Sequence, residues 1–337
     1  MNRIRARSGR LSVALVLVAL LAVAACGSGG APEASADGIE KPDLVVGASA
    51  LSGGLMTTFV AESEGLFAAQ GLSVEVLPFQ GSPAAMQGLI GGQADAIVLG
   101  FASVLNLHGT PQQPVVVTES NSTPSFVYYG KAGLDSWQAV AAAGGVVGVS
   151  SIGGMDYQLA QYMARKDGVD PKSLKFQAAG DTTARAQALL AGQLDAVAST
   201  AATAKRLEQE GMSEIGKIAD YGLDRFPLEV YAVTQDLYDK SPNTVAALVR
   251  ADRAARQWIL EHSDEQVVDV LSKYYTISAD DRPYHLAAMK EYREGLARDG
   301  YSEEAMRVVT QFAIDQGEIT ATDPTAVIGS FVPELRR

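Results

Sequence analysis

The chain has 337 residues, 47% of them hydrophobic and 20% charged, which is enough apolar content for two domains to bury a core each. Its 27 lysines and arginines stand against 39 acids, a formal net charge of −12, and such a surface repels phosphate backbones, which weighs against binding DNA or RNA. The single cysteine rules out an intramolecular disulfide.

Arg3, Arg5, Arg7 and Arg10 form a basic start to the chain, followed by an uncharged apolar run from Leu11 to Ala25. The run is short for a membrane span and ends in small residues, as a secretory signal does. It closes on Val23-Ala24-Ala25-Cys26, which resembles a bacterial lipobox. That resemblance implies removal of residues 1–25, acylation of Cys26 and attachment to a membrane surface through lipid. Losing four arginines leaves 23 basic residues against 39 acids, a net charge of −16 for the mature chain. Gly27 to Gly38 is small, polar and rich in turn formers, so residues 26–42 read as a flexible tether and folding begins near Asp43.

From there strands alternate with helices. Leu44 to Ala50 is an apolar, partly β-branched run that predicts a buried strand, and Leu55 to Gln70 predicts a helix stopped by Gly71. Ser73 to Phe79 alternates as a strand. Ser82 is placed to cap a helix with Pro83 in its first turn, and Ala96 to Gly100 is a third strand. Val115 to Thr118 and Phe126 to Tyr129 are further strands, the second crossing into another lobe. The pattern then recurs: helix at Trp137 to Ala143, strand at Val146 to Ser150, helix at Met155 to Lys166, strand at Leu174 to Ala179. Thr182 to Ala191 and Ala201 to Glu210 predict helices flanking a strand at Ala196 to Ser199, and Glu214 to Ala219 reads as a strand. Leu228 to Thr234 is the return crossing. Beyond it, helix starts at Ser241-Pro242, Ser263-Asp264, Ala279-Asp280 and Ser302-Glu303 predict a helical tail packed on the first lobe. Such alternation predicts parallel sheets with helices on both faces.

The recurrence is visible in the residues themselves. VVGASALSGG (Val45 to Gly54) returns as VVGVSSIGG (Val146 to Gly154), and QGLIGGQADA (Gln87 to Ala96) returns as QALLAGQLDA (Gln187 to Ala196). Two matched signatures in one order, about 100 residues apart, indicate two related α/β lobes rather than a solenoid. One lobe takes residues 43–127 plus 228–337 and the other residues 128–227.

In open sheets of this kind ligands sit beyond the carboxyl ends of the strands. The loops there are rich in Ser, Thr and Gly and poor in Lys and Arg. Any one of them is explained as a capped strand-to-helix turn; the pairing of loops from both lobes points to a shared cleft. Asp95 and Asp195, in the GQ-x-D-A signatures, read as scaffold that fixes a turn. Tyr128, Tyr129 and Tyr231, nearest the crossings, and Trp137 and Trp258 read as packing. No phosphate-binding loop, H-E-x-x-H or G-x-S-x-G occurs, and His108, His262 and His285 are scattered, so no catalytic set or metal site is predicted.

The stretch ESEGLFAAQGLSVEVLPFQGSPAAMQGLIGGQADAIVLGFAS (Glu62 to Ser103) closely resembles the nitrate/sulfonate/taurine substrate-binding proteins of ABC transporters, which include binders of thiamine's pyrimidine precursor. The resemblance continues through VVGVSSIGGMDYQLAQYMARKDGVDP, ALLAGQLDAV and LEVYAVTQDLYDKSPNTVAALVRA. It implies a type II periplasmic-binding-protein fold: two α/β lobes joined by two crossovers, with a helical C-terminal tail. It further implies a non-enzymatic, extracytoplasmic, monomeric protein without cofactor or metal. Such a protein closes on a small molecule and delivers it to a permease and ATPase. By position it carries ligand contacts onto Ser49, Leu51, Ser52 and Gly53, onto Gly81 and Ser82, onto Phe101 and Ala102, onto Ser150, Ser151, Gly153, Gly154 and Asp156, and onto Thr200.

Substrate charge stays open at this stage. A sulfonate, taurine or nitrate could be held by N–H and hydroxyl groups, with Arg185 the nearest cation. Glu229 at the return crossing, and Asp156, point instead to an amine, as in an aminopyrimidine. A pyrimidine-synthase type of enzyme on the same fold is a further alternative, and the cysteine-rich motif of those relatives is absent. A sensor or adhesion lipoprotein is another.

Overall fold

The computed structural model describes residues 38–49, 51, 55–122, 126–223, 226–296 and 301–335. The leader, Cys26, most of the tether, Ser52 and Gly53 lie outside the described residues.

The first half builds β1 (Asp43–Ala48), α1 (Met56–Ser63), β2 (Ser73–Pro78), α2 (Ser82–Ile90), β3 (Ala96–Leu99), α3 (Phe101–Leu105) and β4 (Val115–Asn121). The second builds β5 (Val127–Gly130), α4 (Trp137–Ala142), β6 (Val146–Val149), α5 (Met155–Lys166), β7 (Lys175–Ala178), α6 (Thr182–Leu190), β8 (Ala196–Ser199), α7 (Ala201–Gln209) and β9 (Ser213–Lys217). Then follow β10 (Glu229–Val233), α8 (Gln235–Lys240), α9 (Pro242–Glu261), α10 (Asp264–Leu271), α11 (Arg282–Glu294), α12 (Glu303–Asp315) and α13 (Pro324–Phe331).

Two five-stranded sheets result, in the orders β2-β1-β3-β10-β4 and β7-β6-β8-β5-β9. Their registers match: Gly47 of the first VVG pairs with Ile97, and Gly148 of the second with Val197. Both sheets are mixed, which corrects the expectation of parallel ones. β10 runs antiparallel to β3 and β4, and β5 antiparallel to β8 and β9. The reason is topological. β5 and β10 are the crossing strands, and a strand arriving from the other sheet enters without the helical crossover that parallel pairing needs.

The predicted 55–70 helix is shorter than expected: α1 ends at Ser63, and a 3-10 turn at Ala68–Gln70 closes on Gly71 in the left-handed conformation, φ 78°. The helical tail divides its packing. α9 and α10 lie on α1, and α12 lies on α3. α11 instead packs on α7, beside the second sheet, where Tyr292 and Ala288 share a core cluster with Ala201 and Ala202 and Arg206 Nη1 donates to Asp281 Oδ1 at 2.6 Å. No helix among the described residues is long and apolar enough to cross a membrane.

Candidate functional site

The carboxyl ends of β1, β2, β3, β6, β7 and β8 converge on a cavity of about 140 Å³. Ser49, Leu51, Pro78, Phe79, Gln80, Gly81, Ser82 and Gly100 line it from the first sheet's side. Ser150, Met155, Asp156, Gly180, Asp181, Thr182, Arg185 and Thr200 line it from the second, and Phe126 and Glu229 stand beside the crossings.

Small residues let these walls approach. A Cβ added at Gly47 would fall 2.7 Å from the Phe79 ring, and one added at Gly88 would fall closer still, so two glycines form the seat of this aromatic wall. Gly81 has φ 87° and precedes α2 as its cap; Ser82, predicted as the cap, is instead the first helical residue. The Gly81 N–H donates to Ser49 O at 3.0 Å, and a Cβ there would meet Ser151 Oγ at 2.5 Å. Gly100 likewise faces Met155, whose Cε would lie 2.9 Å from an added Cβ. The two sheets' loops therefore touch at Gly81–Ser151 and Gly100–Met155, on glycines that admit the contact.

The charged groups fall into two kinds. Asp156 and Arg185 are buried against each other, with Nη2 3.5 Å from Oδ2. The Asp156 carboxylate accepts from the Ser150 N–H at 2.7 Å, from Ser150 Oγ at 2.7 Å and from the Tyr157 N–H at 3.0 Å. Arg185 donates through Nε to Ala198 O at 3.1 Å and through Nη1 to Gly180 O at 2.5 Å. Asp181 caps α6 by accepting from the Ala184 N–H at 2.8 Å. Glu229 stands apart: it is 7% exposed, its Oε2 has no hydrogen-bond partner, and burial pushes its carboxyl up to about 8. Among the described residues, Arg185 is the one cation lining the cavity.

Of the residues that sequence reasoning singled out, Ser49, Leu51, Gly81, Ser82, Ser150, Asp156, Thr200 and Glu229 line the cavity. Phe101 and Ala102 do not; both are fully buried at the start of α3, where Phe101 meets Phe331 edge-on, and Gly100 takes the lining position. Ser151 lies against Gly81 with its buried Oγ lacking a hydrogen-bond partner, Gly154 caps α5, and Gly153 lines a neighbouring surface groove with Ile90 and Met86. The tyrosines are packing groups. Tyr128 lies 5.2 Å from Trp137 and donates to Asp156 O, and the Tyr231 hydroxyl shares a 2.6 Å hydrogen bond with Thr58 Oγ1. Phe79, Phe126 and Met155 were missed as walls; the small residues at Gly47, Gly88 and Gly100 are the signal that marks two of the three.

The GQ-x-D-A carboxylates lie away from the cavity and do the same work in each half. Asp95 accepts from the Val45 N–H at 2.9 Å and pairs with Lys41; Asp195 accepts from the Val146 N–H at 2.8 Å and from Lys131 Nζ at 2.6 Å. No group of three or more His, Cys, Asp and Glu placed to hold a metal ion occurs among the described residues.

Residues 54–266 match the model of the family described as NMT1/THI5 like. The chain is 22% identical over 218 residues to "Putative binding protein YtlA" of Bacillus subtilis (strain 168), covering 63% of this chain and 65% of that protein, about two thirds of its length. The periplasmic nitrate-binding protein NrtA of Synechocystis PCC 6803 superposes with a TM-score of 0.70 at 15% identity, over 88% of each chain. The alkanesulfonate-binding protein SsuA of Xanthomonas axonopodis pv. citri, solved bound to MOPS, gives 0.70 at 15% identity over 87% of this chain and 98% of its own. The fold is that of the periplasmic binding proteins, with a helical C-terminal region.

Proposed function

The chain belongs to the NMT1/THI5-like family, and from that premise we propose that it is the extracytoplasmic solute-binding component of an ABC importer. Two lobes, residues 43–127 with 228–337 and residues 128–227, close about the two crossings on a small solute and present it to a permease driven by an ATPase. The protein works as a monomer and carries out no chemistry on what it holds. Lipid on Cys26 keeps it at the outer face of the cell membrane.

One observation carries this reading. The cavity is lined from both sheets, at the carboxyl ends of their strands, so a solute held there bridges both halves of the molecule. The names of the relatives, a binding protein and binders of nitrate and of an alkanesulfonate, support the same role.

A thermal-shift screen tests it with nitrate, aliphatic sulfonates, taurine, aminopyrimidines and aromatic acids and amines. A solute at 100 times its Kd stabilises the folded protein by about 2.7 kcal/mol. A shift from at least one class is expected, and silence across all of them would overturn the role. The anchor is tested separately: Cys26→Ser should move the protein from the membrane fraction to the soluble one, and retention at the membrane would refute lipidation.

A further inference from the structure

We propose that the solute carries a cationic nitrogen that seats against Glu229, and that anions lacking such a nitrogen are refused. The inference deepens the solute-binding reading above and rests on it.

Glu229 lines the cavity, is 7% exposed and leaves Oε2 without a partner. A carboxylate taken out of water is costly unless a cation or several donors meet it, and among the described residues neither meets Glu229 Oε2. Arg185, across the cavity, has its guanidinium engaged by Asp156, Gly180 O and Ala198 O. Tyr231, two residues along the same strand, is bonded to Thr58. The complement to Glu229 must therefore arrive with the solute.

The rest of the lining agrees. Phe79, Phe126 and Met155 give apolar walls, which strengthen a charge pair by excluding water, and an aromatic face also attracts a cation. A simple anion would instead face an ionised Glu229, and among the described lining residues the one cation, Arg185, is already engaged by Asp156. Of the helix starts at the cavity, those of α5 and α6 already carry Asp156 and Asp181, and those of α2 and α7, which carry no acid, offer only partial positive charge against the full charge of Glu229.

Matched solutes separate the nitrogen from the body that bears it: taurine against isethionate, and benzylamine against benzyl alcohol and benzoate, with nitrate alongside. At least one amine should shift the melting temperature by several degrees where its oxygen counterpart does not. Glu229→Gln should weaken that amine about 30-fold or more, the loss typical of an unpaired buried charge partner. Equal or larger shifts from isethionate, benzoate or nitrate would overturn the inference while leaving solute binding intact. A measurement without solute decides the matter if no probe binds: at pH 8.5, Glu229→Gln should melt several degrees above the wild type, because the variant removes an uncompensated carboxylate. A variant that melts at or below the wild type there would show Glu229 to be a satisfied structural group, and the inference would fall.

Discussion

Arg185 Nη2 lies 3.5 Å from Asp156 Oδ2, and the two side chains are only 3% and 2% exposed. One stands near the start of α6 and the other near the start of α5, the helices that follow the adjacent strands β7 and β6. Residues that looked like rival ligand contacts, a cation for an anion and an acid for an amine, are thereby one internal pair. Removing either partner strands the other in a buried site, so Arg185→Ala and Asp156→Ala should each cost about 3–5 kcal/mol in urea denaturation. The double variant should cost clearly less than the two losses added together, because the stranded charge is gone. Additive losses would mean that the two side chains act independently.

Phe79 gives a second test. Its ring occupies space that only glycine at positions 47 and 88 leaves open. Gly88→Ala should therefore destabilise by about 1–3 kcal/mol through overpacking and push the ring toward the cavity. Phe79→Leu in the same chain should restore much of the loss, since a smaller side chain withdraws from the added methyl. If Gly88→Ala is neutral by thermal melt, the ring has room to shift and the seat is not tight.

The pH dependence has two opposed parts. Glu119 and Glu229 are both raised by burial from 4.5 to about 8; the Ser302 N–H and Arg256 partly offset the effect at Glu119, and Glu229 has no such relief. Each holds its proton more tightly folded than unfolded, so its stability is complete below pH 4.5 and is lost as pH rises toward 8. The loss is on the order of several kcal/mol. His285 acts the other way. Burial lowers its pKa below 6.5 against the pull of Asp281, so its contribution is present above pH 6.5 and is lost on acidification. Glu119→Gln should melt higher than the wild type at pH 8.5 and about equally at pH 4.5, and His285→Gln should gain at pH 5 relative to pH 7. A wild-type curve indistinguishable from both variants across this range would contradict the assignment.

Local pattern made most of the fold legible. Met155–Lys166 and Ala196–Ser199 have the bounds that their residues predict, since each is a periodic or continuously apolar run closed by turn residues. α3 escaped because its five residues, Phe101–Leu105, are all buried and show no polar face to set a period. The antiparallel entry of β5 and β10 is a property of the crossings, and nothing in a strand's own residues records its direction. The site divides in the same way. Loop positions follow from strand ends, whereas the pairing of Arg185 with Asp156 joins residues 29 positions apart along the chain on different helices. Phe79 and Met155 resemble core residues until the glycines around them are considered in three dimensions.

The repeated GQ-x-D-A signature offers the most direct check on the internal symmetry. Asp95 and Asp195 each accept a hydrogen bond from the first valine of a VVG strand, while their own N–H groups donate back to those valines' carbonyls at 2.8 and 2.9 Å. The lysine partners, Lys41 and Lys131, are 45% and 36% exposed, so the ion pairs add little and the bond to the strand's N–H carries the effect. Asp95→Ala and Asp195→Ala should thus cost about 1–3 kcal/mol each, the penalty for an orphaned strand donor. Lys41→Ala and Lys131→Ala should cost less than about 1 kcal/mol. Both acids lie away from the cavity, so solute affinity measured by calorimetry should be unchanged in each variant. A loss of affinity with Asp95→Ala but not with Asp195→Ala would show that the matched signatures have taken on different work in the two halves.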